Sequence, residues 1–307
     1  MKKPLKESRY KTFVRNKELL LLTIPAIAYF IVFNYLPMPG IIIAFTDYKY
    51  STGIFGSEWV GLKWFEIFFK SDLKRVTINT VRYGIIFIFS GVISGLFTAI
   101  LLNFLKSRAS LKVYQTVMIL PNFMSWVVVA LILYIFLDPL YGIVNRTLLS
   151  MGKEDVMWYS DPKYWPYILT FMYIWKGVGM GSVTYFAAIM GIDSSLFEAA
   201  TIDGSGKMGQ VRHIILPELV PLIIISIILS MGGIMRGDFG MFYSLTRNVG
   251  MLYPATDILD TFIFRGLSGG RMSFTAAAGF YQSFVGFFMV LVVNFIVKKM
   301  QPDHTLF

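Results

Sequence analysis

Apolar runs of roughly 20 residues recur along this chain and confine it to a few architectures. Six can be read, at about 19–45, 77–104, 113–137, 164–190, 219–236 and 274–297. A helix of about 20 residues crosses the ~30 Å hydrocarbon core of a bilayer. Only 15% of the 307 residues are charged, and the mean hydropathy is +0.63. A soluble domain of this length carries more surface charge. The expected fold class is therefore an all-α integral membrane protein with six transmembrane helices. One domain, residues 1–307, is expected, because no linker, low-complexity tract or clear internal repeat interrupts the chain.

Orientation follows from the basic start. Lys2, Lys3, Lys6, Arg9, Lys11, Arg15 and Lys17 precede the first apolar run and place residues 1–18 in the cytoplasm. That run is too long for a signal peptide and lacks a small-residue cleavage site, so it is expected to stay as a helix. Six crossings return the C-terminus, with Lys298 and Lys299, to the same side, along with the short loop around Lys106, Arg108 and Lys112. The segment 46–76 is then external, although Lys49, Lys63, Lys70, Lys74 and Arg75 run against the charge rule. The expected location is the plasma membrane, multi-pass, with both termini cytoplasmic. Basic residues beside anionic lipid account for the net charge of +10 without a nucleic-acid partner. The chain has no cysteine, hence no disulfide framework or thiolate chemistry.

The three external connections, about 46–76, 138–163 and 237–273, are aromatic and mixed in charge, and order is expected in them. Trp59, Trp64, Trp158, Tyr159, Trp165 and Tyr167 fall near the membrane interfaces. Two readings stay open for them: an aromatic belt, or contact with an extracellular binding protein.

One polar stretch, Glu198 to Pro217 (EAATIDGSGKMGQVRHIILP), is wedged between two apolar runs. Ser195 fits an N-cap with Glu198 reaching back from the third helical position. Leu196, Phe197 and Ala200 form an apolar patch. Gly204 is able to take the left-handed conformation that ends a helix. Ser205 caps a second helix on which Met208, Val211 and Ile215 share a face, and Pro217 breaks it before Pro221 opens the next crossing. Two short helices with a sharp bend, flat on the cytoplasmic surface, are expected. The plain alternative is an interfacial connector whose apolar face dips into lipid. Gly204-Ser205-Gly206-Lys207 imitates a phosphate-binding loop, but Thr201 and Met208 stand where that motif needs Gly and Ser or Thr. The segment does not bind ATP by that route.

The spacing Glu-Ala-Ala, Asp-Gly, Ile-x-Leu-Pro resembles the EAA loop of ABC importer permeases. Tyr253 to Arg265 with Ala276 to Gly279 resembles the last external loop and final helix of the sugar-type permeases. Ala44 to Tyr48 and Trp59 to Phe65 are similar to the subgroup handling oligosaccharides and polysaccharide fragments. In that family the EAA loop, here residues 191–218, is gripped by the ATPase. The resemblance implies docking through Glu198, Ala199, Ala200, Asp203, Gly204, Ser205, Met208, Val211, Ile214, Leu216 and Pro217. Ser205 replaces a frequent Ala, and Met208 and Val211 replace frequent aromatics, which bears on which ATPase fits. The resemblance further implies a second permease subunit of a different chain, two cytoplasmic ATPase subunits and an extracellular solute-binding protein. ATP and magnesium are bound by the ATPase, and this chain needs no cofactor or metal of its own.

Charged side chains within a bilayer usually face a bundle interior or water. Lys176 lies mid-run in the fourth crossing, beside Tyr173 and Trp175 and ahead of Gly177, Gly179 and Gly181. A structural ion pair and a place on a substrate path are both open for it. Arg236 and Asp238 follow the fifth crossing, where a simple membrane exit competes with the path. Asn122 and Trp126 follow Pro121 in the third. Met180 and Met235 complete the candidate path, with packing as their plain reading. Tyr173, Lys176 and Arg236 are expected at a shared, water-accessible cavity in the outer half of the membrane. The glycines serve either close helix packing or room for a wide solute.

No paired carboxylate, Ser/His/Asp arrangement or zinc spacing occurs where a cavity is plausible, so no enzyme is expected. The expected function is the permease of an ATP-driven importer that moves an oligosaccharide or polysaccharide fragment inward by alternating access. Rivals are an importer permease for another small solute, a membrane-embedded transferase, and a secondary transporter, which would show inverted repeats and mid-membrane acids. The topology is testable because the chain has no cysteine. A single cysteine at Lys207 should resist a membrane-impermeant thiol reagent in intact cells, and one within 138–163 should react. Labelling at 207 would overturn the orientation.

Overall fold

The computed structural model describes residues 17–300; the six basic residues before Lys17, and His304, lie outside the described residues. The described residues are chiefly helical, with one two-stranded ribbon. Helix α1 (Lys17–Phe30) continues through a wide turn at Ile31–Tyr35 and a tight turn at Met38–Phe45. Pro37 and Pro39 lack the N–H that a regular helix needs there, which explains the tight geometry. The 25 residues Leu21–Phe45 are apolar enough to cross a membrane, yet their most apolar stretch is not buried against the rest of the chain.

The connection that follows is ordered. Thr46–Asp47 and Glu58–Trp59 form a two-residue antiparallel ribbon. Helix α2 (Lys63–Lys70) is amphipathic and buries Phe65 and Phe68. Trp64 Nε1 donates to the Thr46 carbonyl at 3.1 Å, and Phe45 stacks on Trp59.

Helix α3 (Leu73–Asn103) is the longest element, at 31 residues. The third apolar run is not one helix. Helix α4 (Arg108–Ile119) ends in a tight turn at Leu120–Phe123, and α5 (Trp126–Leu137) leaves at 100°. Pro121 removes a backbone donor at the break, and Ser125 caps the new helix by accepting the Val128 N–H at 3.3 Å. Helix α6 (Ile143–Ser150) lies in the next connection.

Helix α7 (Trp165–Met190) has 26 residues, about 39 Å of rise, enough to cross a bilayer. Four stretches reach spanning length and apolarity: Leu21–Phe45, Leu73–Asn103, Lys207–Met231 and Met272–Lys299, with the bent α4–α5 pair a fifth if taken as one span. The α7 segment is not among them. It packs chiefly on α3 and carries Tyr173, Lys176 and three glycines, while Tyr167, Phe171, Met180 and Met190 stay exposed. The fourth crossing makes its main contact with the second.

The polar segment differs from expectation in two ways. Helix α8 (Ser194–Ile202) is capped by Asp193, whose carboxylate accepts the Ser195 N–H at 2.9 Å; Ser195 is inside the helix and Glu198 stays exposed. That bond holds the Asp193 carboxyl below the usual carboxylate range. Asp outcompetes Ser as a cap because a charged acceptor binds an amide more strongly. Second, α9 (Lys207–Gln210) is not a separate short helix. It runs through a wide turn at Val211–Ile215 into α10 (Leu216–Met231), so Pro217 does not break the chain. A π-type turn separates the Pro217 ring from the carbonyl one turn back, which removes the usual clash. Gly204 has φ +75°, and the Ser205 N–H reaches back to the Ala200 carbonyl at 2.8 Å, closing α8 in a left-handed cap.

After α11 (Phe239–Leu245), the stretch around Tyr253–Thr256, α12 (Leu259–Ser268) and α13 (Met272–Met300), the fold closes on the N-terminal end of α3. Asp257 is buried there between Arg265 at 2.6 Å and Arg75 at 3.3 Å, and accepts the Thr261 hydroxyl at 2.8 Å. Asn79 donates to the carbonyls of Pro254 and Asp257, Tyr83 to that of Ala255, and Thr80 accepts the Leu259 N–H. Removing the carboxylate leaves Arg265 without its ion-pair partner and leaves Arg75, whose buried Nε is already unpaired, with Asp72 alone at 3.1 Å. Asp257→Ala should cost about 3–5 kcal/mol. Thermal unfolding of the purified permease measures it, and a wild-type melting temperature would refute the clamp.

Candidate functional site

Helix α7 presents Tyr173, Lys176, Gly177, Gly181 and Thr184 to one cavity of about 450 Å³, closed on the other sides by α3, α10 and the α4–α5 break. That volume falls in the range of about 300–1,000 Å³ typical of small-molecule sites. Asn122, Trp126 and Asp238 line it as well. The Lys176 ammonium donates to the Asn122 carbonyl at 2.9 Å and sits over the Trp126 ring, 5.0 Å from its centroid. Trp126 Nε1 donates to Asp238 Oδ2 at 2.6 Å. Asp238 Oδ1 also accepts the Met241 N–H at 3.0 Å, capping α11. The indole therefore stands between carboxylate and ammonium, and among the described residues no carboxylate lies within ion-pair reach of Lys176. Tyr173 stacks on Phe87 with ring centroids 4.3 Å apart.

The remaining candidates part company. Trp175 packs into the core beside Met172 and Leu169, Met180 is half exposed outside the lining, and Met235 is buried with Phe262 and Phe274. Arg236 does not line the main cavity. It lines two neighbours of about 230 and 370 Å³, and the smaller shares Ile88, Tyr173, Ser230 and Asp238 with the main one. Four hydroxyl residues, Ser94, Thr184, Ser226 and Ser230, belong to the main lining and do not stand out in the sequence. Their one signal there is the four-residue spacing of Ser226 and Ser230, which puts both on one helix face.

The glycines divide between two jobs. A Cβ at Gly179 would collide with the Met118 carbonyl, and one at Gly95 would meet the Gly181 backbone at 3.2 Å. These are close helix crossings. At Gly177 a Cβ would meet nothing within 4 Å, and this glycine opens onto the cavity.

At the other end of α3 and α7, Ala99, Tyr185, Ile189, Ile215 and Leu219 form a buried cluster against which Phe197 and Val211 pack. This seats the polar segment. Outward from it, Ile202 is 86% exposed, Met208 78% and Leu196 44%. Glu198, Ala199, Asp203, Gly204 and Pro217 are exposed beside them, whereas Ala200, Ser205, Val211, Ile214 and Leu216 are half buried. Ile202 is the most exposed apolar group of the segment and is absent from the sequence-based docking set, because its position beside the turn reads as a helix end. Lys207 lies over the Phe104 ring at 5.0 Å, so the short 104–107 loop shares this end of the bundle.

A membrane bundle with an internal polar cavity at one level and a capped, apolar-tipped handle at one end is the architecture of a transport permease. Residues 91–302 match the family described as the binding-protein-dependent transport system inner membrane component, and the chain belongs to it. Protein LplB of Bacillus subtilis (strain 168) is 33% identical over 291 residues, 94% of this chain and 91% of that protein. The polygalacturonan/rhamnogalacturonan transport system permease protein YteP of the same organism is 33% identical over 301 residues, 96% and 92% of the two chains. Among solved structures, a chain of a bacterial alginate ABC transporter, in complex with an alginate pentasaccharide-bound periplasmic protein, superposes with a TM-score of 0.86. It is 30% identical, and the match covers 97% of this chain and 99% of that one. The protein is thus a multi-pass permease subunit of the ABC importer class, in which ATP hydrolysis resides on a separate subunit.

The two glycine roles predict opposite outcomes. Gly179→Ala should cost about 1–3 kcal/mol through overpacking and lower the melting temperature of the purified permease. Gly177→Ala should hold or raise it, since Ala is the better helix former. Equal losses in both would remove the distinction.

Proposed function

We propose that this chain is the transmembrane permease that carries an oligosaccharide or polysaccharide fragment into the cytoplasm by alternating access. In this reading a second permease, of a different chain, faces the main cavity. Two ATPase subunits grip residues 191–218 from the cytoplasm, and an extracellular binding protein delivers the solute. ATP binding draws the handles together and turns the bundle outward-open; hydrolysis resets it. The N- and C-termini are cytoplasmic. The saccharide assignment draws on the relatives named for polygalacturonan/rhamnogalacturonan and alginate, and on a cavity that offers a tyrosine and several hydroxyls to sugar groups.

The observation that carries the coupling is the exposed apolar tip of Leu196, Ile202 and Met208 on a segment otherwise rooted in the bundle. Exposed apolar groups clustered within a polar rim mark a protein interface. Gly204 sets the angle between α8 and α9 from a φ of +75°, with open space where a side chain would go. Gly204→Val therefore strains the backbone at that bend without a collision. In the purified complex, Glu198→Ala and Gly204→Val should insert and assemble in the membrane but lose substrate-stimulated ATP hydrolysis, Gly204→Val by about tenfold or more for a strain of 1–2 kcal/mol or above. Wild-type stimulation in both variants would sink the docking role.

A further inference from the structure

Helix α2 lies at the end of the bundle opposite the handle, where the first apolar stretch ends at Phe45 and α3 begins at Leu73. Rings fix its packed face: Phe68 meets Phe274 and Tyr281 edge-on, and Phe65 meets Phe280. Beside that packing, α2 and α13 leave an open groove of about 290 Å³, walled by Phe45, Phe65, Phe69, Phe280 and Phe284. Phe69 is 54% exposed and Phe284 53%. Phe280, Phe284 and Phe288 follow one another ring on ring along α13, so the apolar wall runs on for about 12 Å towards the handle end. The charged residue of the lining is Glu66. It has no ion-pair partner among the described residues, although Lys63 and Lys70 stand one turn to either side of it on the exposed face of α2. Lys63 lies over the Trp64 ring instead, 5.5 Å from its centroid, and Lys70 is free of ion pairs as well.

A groove that is aromatic along its run and carries an acid and a base at its mouth matches a lipid in both parts. An acyl chain laid along Phe280 and Phe284 covers rings that water would otherwise meet. The headgroup must then suit two opposite charges. A phosphate accepts from the Lys70 ammonium at charge-assisted strength. Glu66 accepts and cannot donate, so it calls for a cation with N–H groups. A purely anionic headgroup sets its charge against Glu66, and a quaternary ammonium has no N–H to give. We propose that this groove is a binding site for an aminophospholipid of the phosphatidylethanolamine type, in the leaflet opposite the handle, with its ammonium on Glu66 and its phosphate on Lys70. Lys70 is one of the basic residues of segment 46–76 that run against the charge rule, and a lipid phosphate gives it a partner. The site is separate from the solute cavity, with which it shares no lining residue.

The test holds the purified complex, with its partner permease and ATPase, in nanodiscs of equal parts dioleoyl phosphatidylethanolamine, phosphatidylcholine and phosphatidylglycerol. Native mass spectrometry reads which lipids the complex retains. Wild type should retain phosphatidylethanolamine over each of the others by about threefold, the scale of one exposed ion pair. Glu66→Gln should erase the preference over phosphatidylcholine, because those two lipids differ only in the N–H groups of the ammonium. Lys70→Gln should lower the retention of both alike. Phe284→Ala removes part of the groove wall and should lower the retention of all three without changing their order. Glu66, Lys70 and Phe284 are exposed, so the packed face of α2 is left intact; the wild-type ratio tests the headgroup even where a variant fails to assemble. Equal retention of the three lipids, a preference for phosphatidylglycerol, or a preference that survives Glu66→Gln overturns the aminophospholipid assignment. Retention unchanged by Phe284→Ala overturns the groove as the site, the result expected if a segment of the partner permease fills it.

Discussion

The close crossing of α3 and α7 is the contact on which the rest of the structure depends. Inside a bilayer the hydrophobic effect does not drive helices together, since lipid is as apolar as the side chains. Association must come from dispersion at short range, and that requires small residues. Gly95 meets Gly181 there, and Gly179 lets the α4 backbone approach α7 from another side. Above the crossing, Tyr83, Phe87, Leu169 and Met172 form the first core cluster; below it, Ala99, Tyr185 and Ile189 form the seat of the handle. Cavity and handle are therefore built on the same pair of helices, one beside the crossing and the other at its end.

The same crossing gives α7 one protein-facing side, on which Lys176, Thr184 and a run of glycines are tolerated. The 100° break between α4 and α5 serves the same cavity. A straight helix would consume the Asn122 carbonyl in its own ladder; the break frees it to accept from Lys176. Trp126 at the start of α5 then stacks under the ammonium, and its indole N–H ties to the cap of α11.

Much of this is legible from residue order alone. The apolar runs announce the spanning segments, and a lysine inside one of them is a strong signal because its cost is high wherever it points to lipid. That logic leads to Lys176, Tyr173, Asn122, Trp126 and Asp238, which the structure brings to one cavity. Arg236 and Met235 follow the same rule less well, since they lie beyond the end of α10 at Met231, where the chain direction is no longer set by helical period. The serines of α10 are silent: Ser226 and Ser230 bond the carbonyls four residues back, as any helical serine does, and only packing shows that they face a cavity. The Asp257 clamp is equally hidden, because it joins residues 182 positions apart. Asp193 over Ser195 as the cap is a choice between near neighbours that differ by less than the resolution of the pattern.

The continuity of α9 through α10 changes how a force at the handle is carried. Two separate short helices would have absorbed movement in the break at Pro217. The 25 residues Lys207–Met231 instead form one rod about 37 Å long, with a wide turn at Val211–Ile215 as its soft point. Met208, exposed at the handle, and Ser226 and Ser230, lining the cavity, lie on that same rod. Ile215 and Leu219 are locked in the cluster with Tyr185 and Ile189, so the rod is held near its lower third. A lever pivoted there moves its far end by more than its near end. Ser230, eleven residues beyond Leu219, faces Tyr173 across the cavity. The rod thus gives one continuous path from Met208 at the handle to Ser226 and Ser230 at the cavity, alongside the α3–α7 crossing.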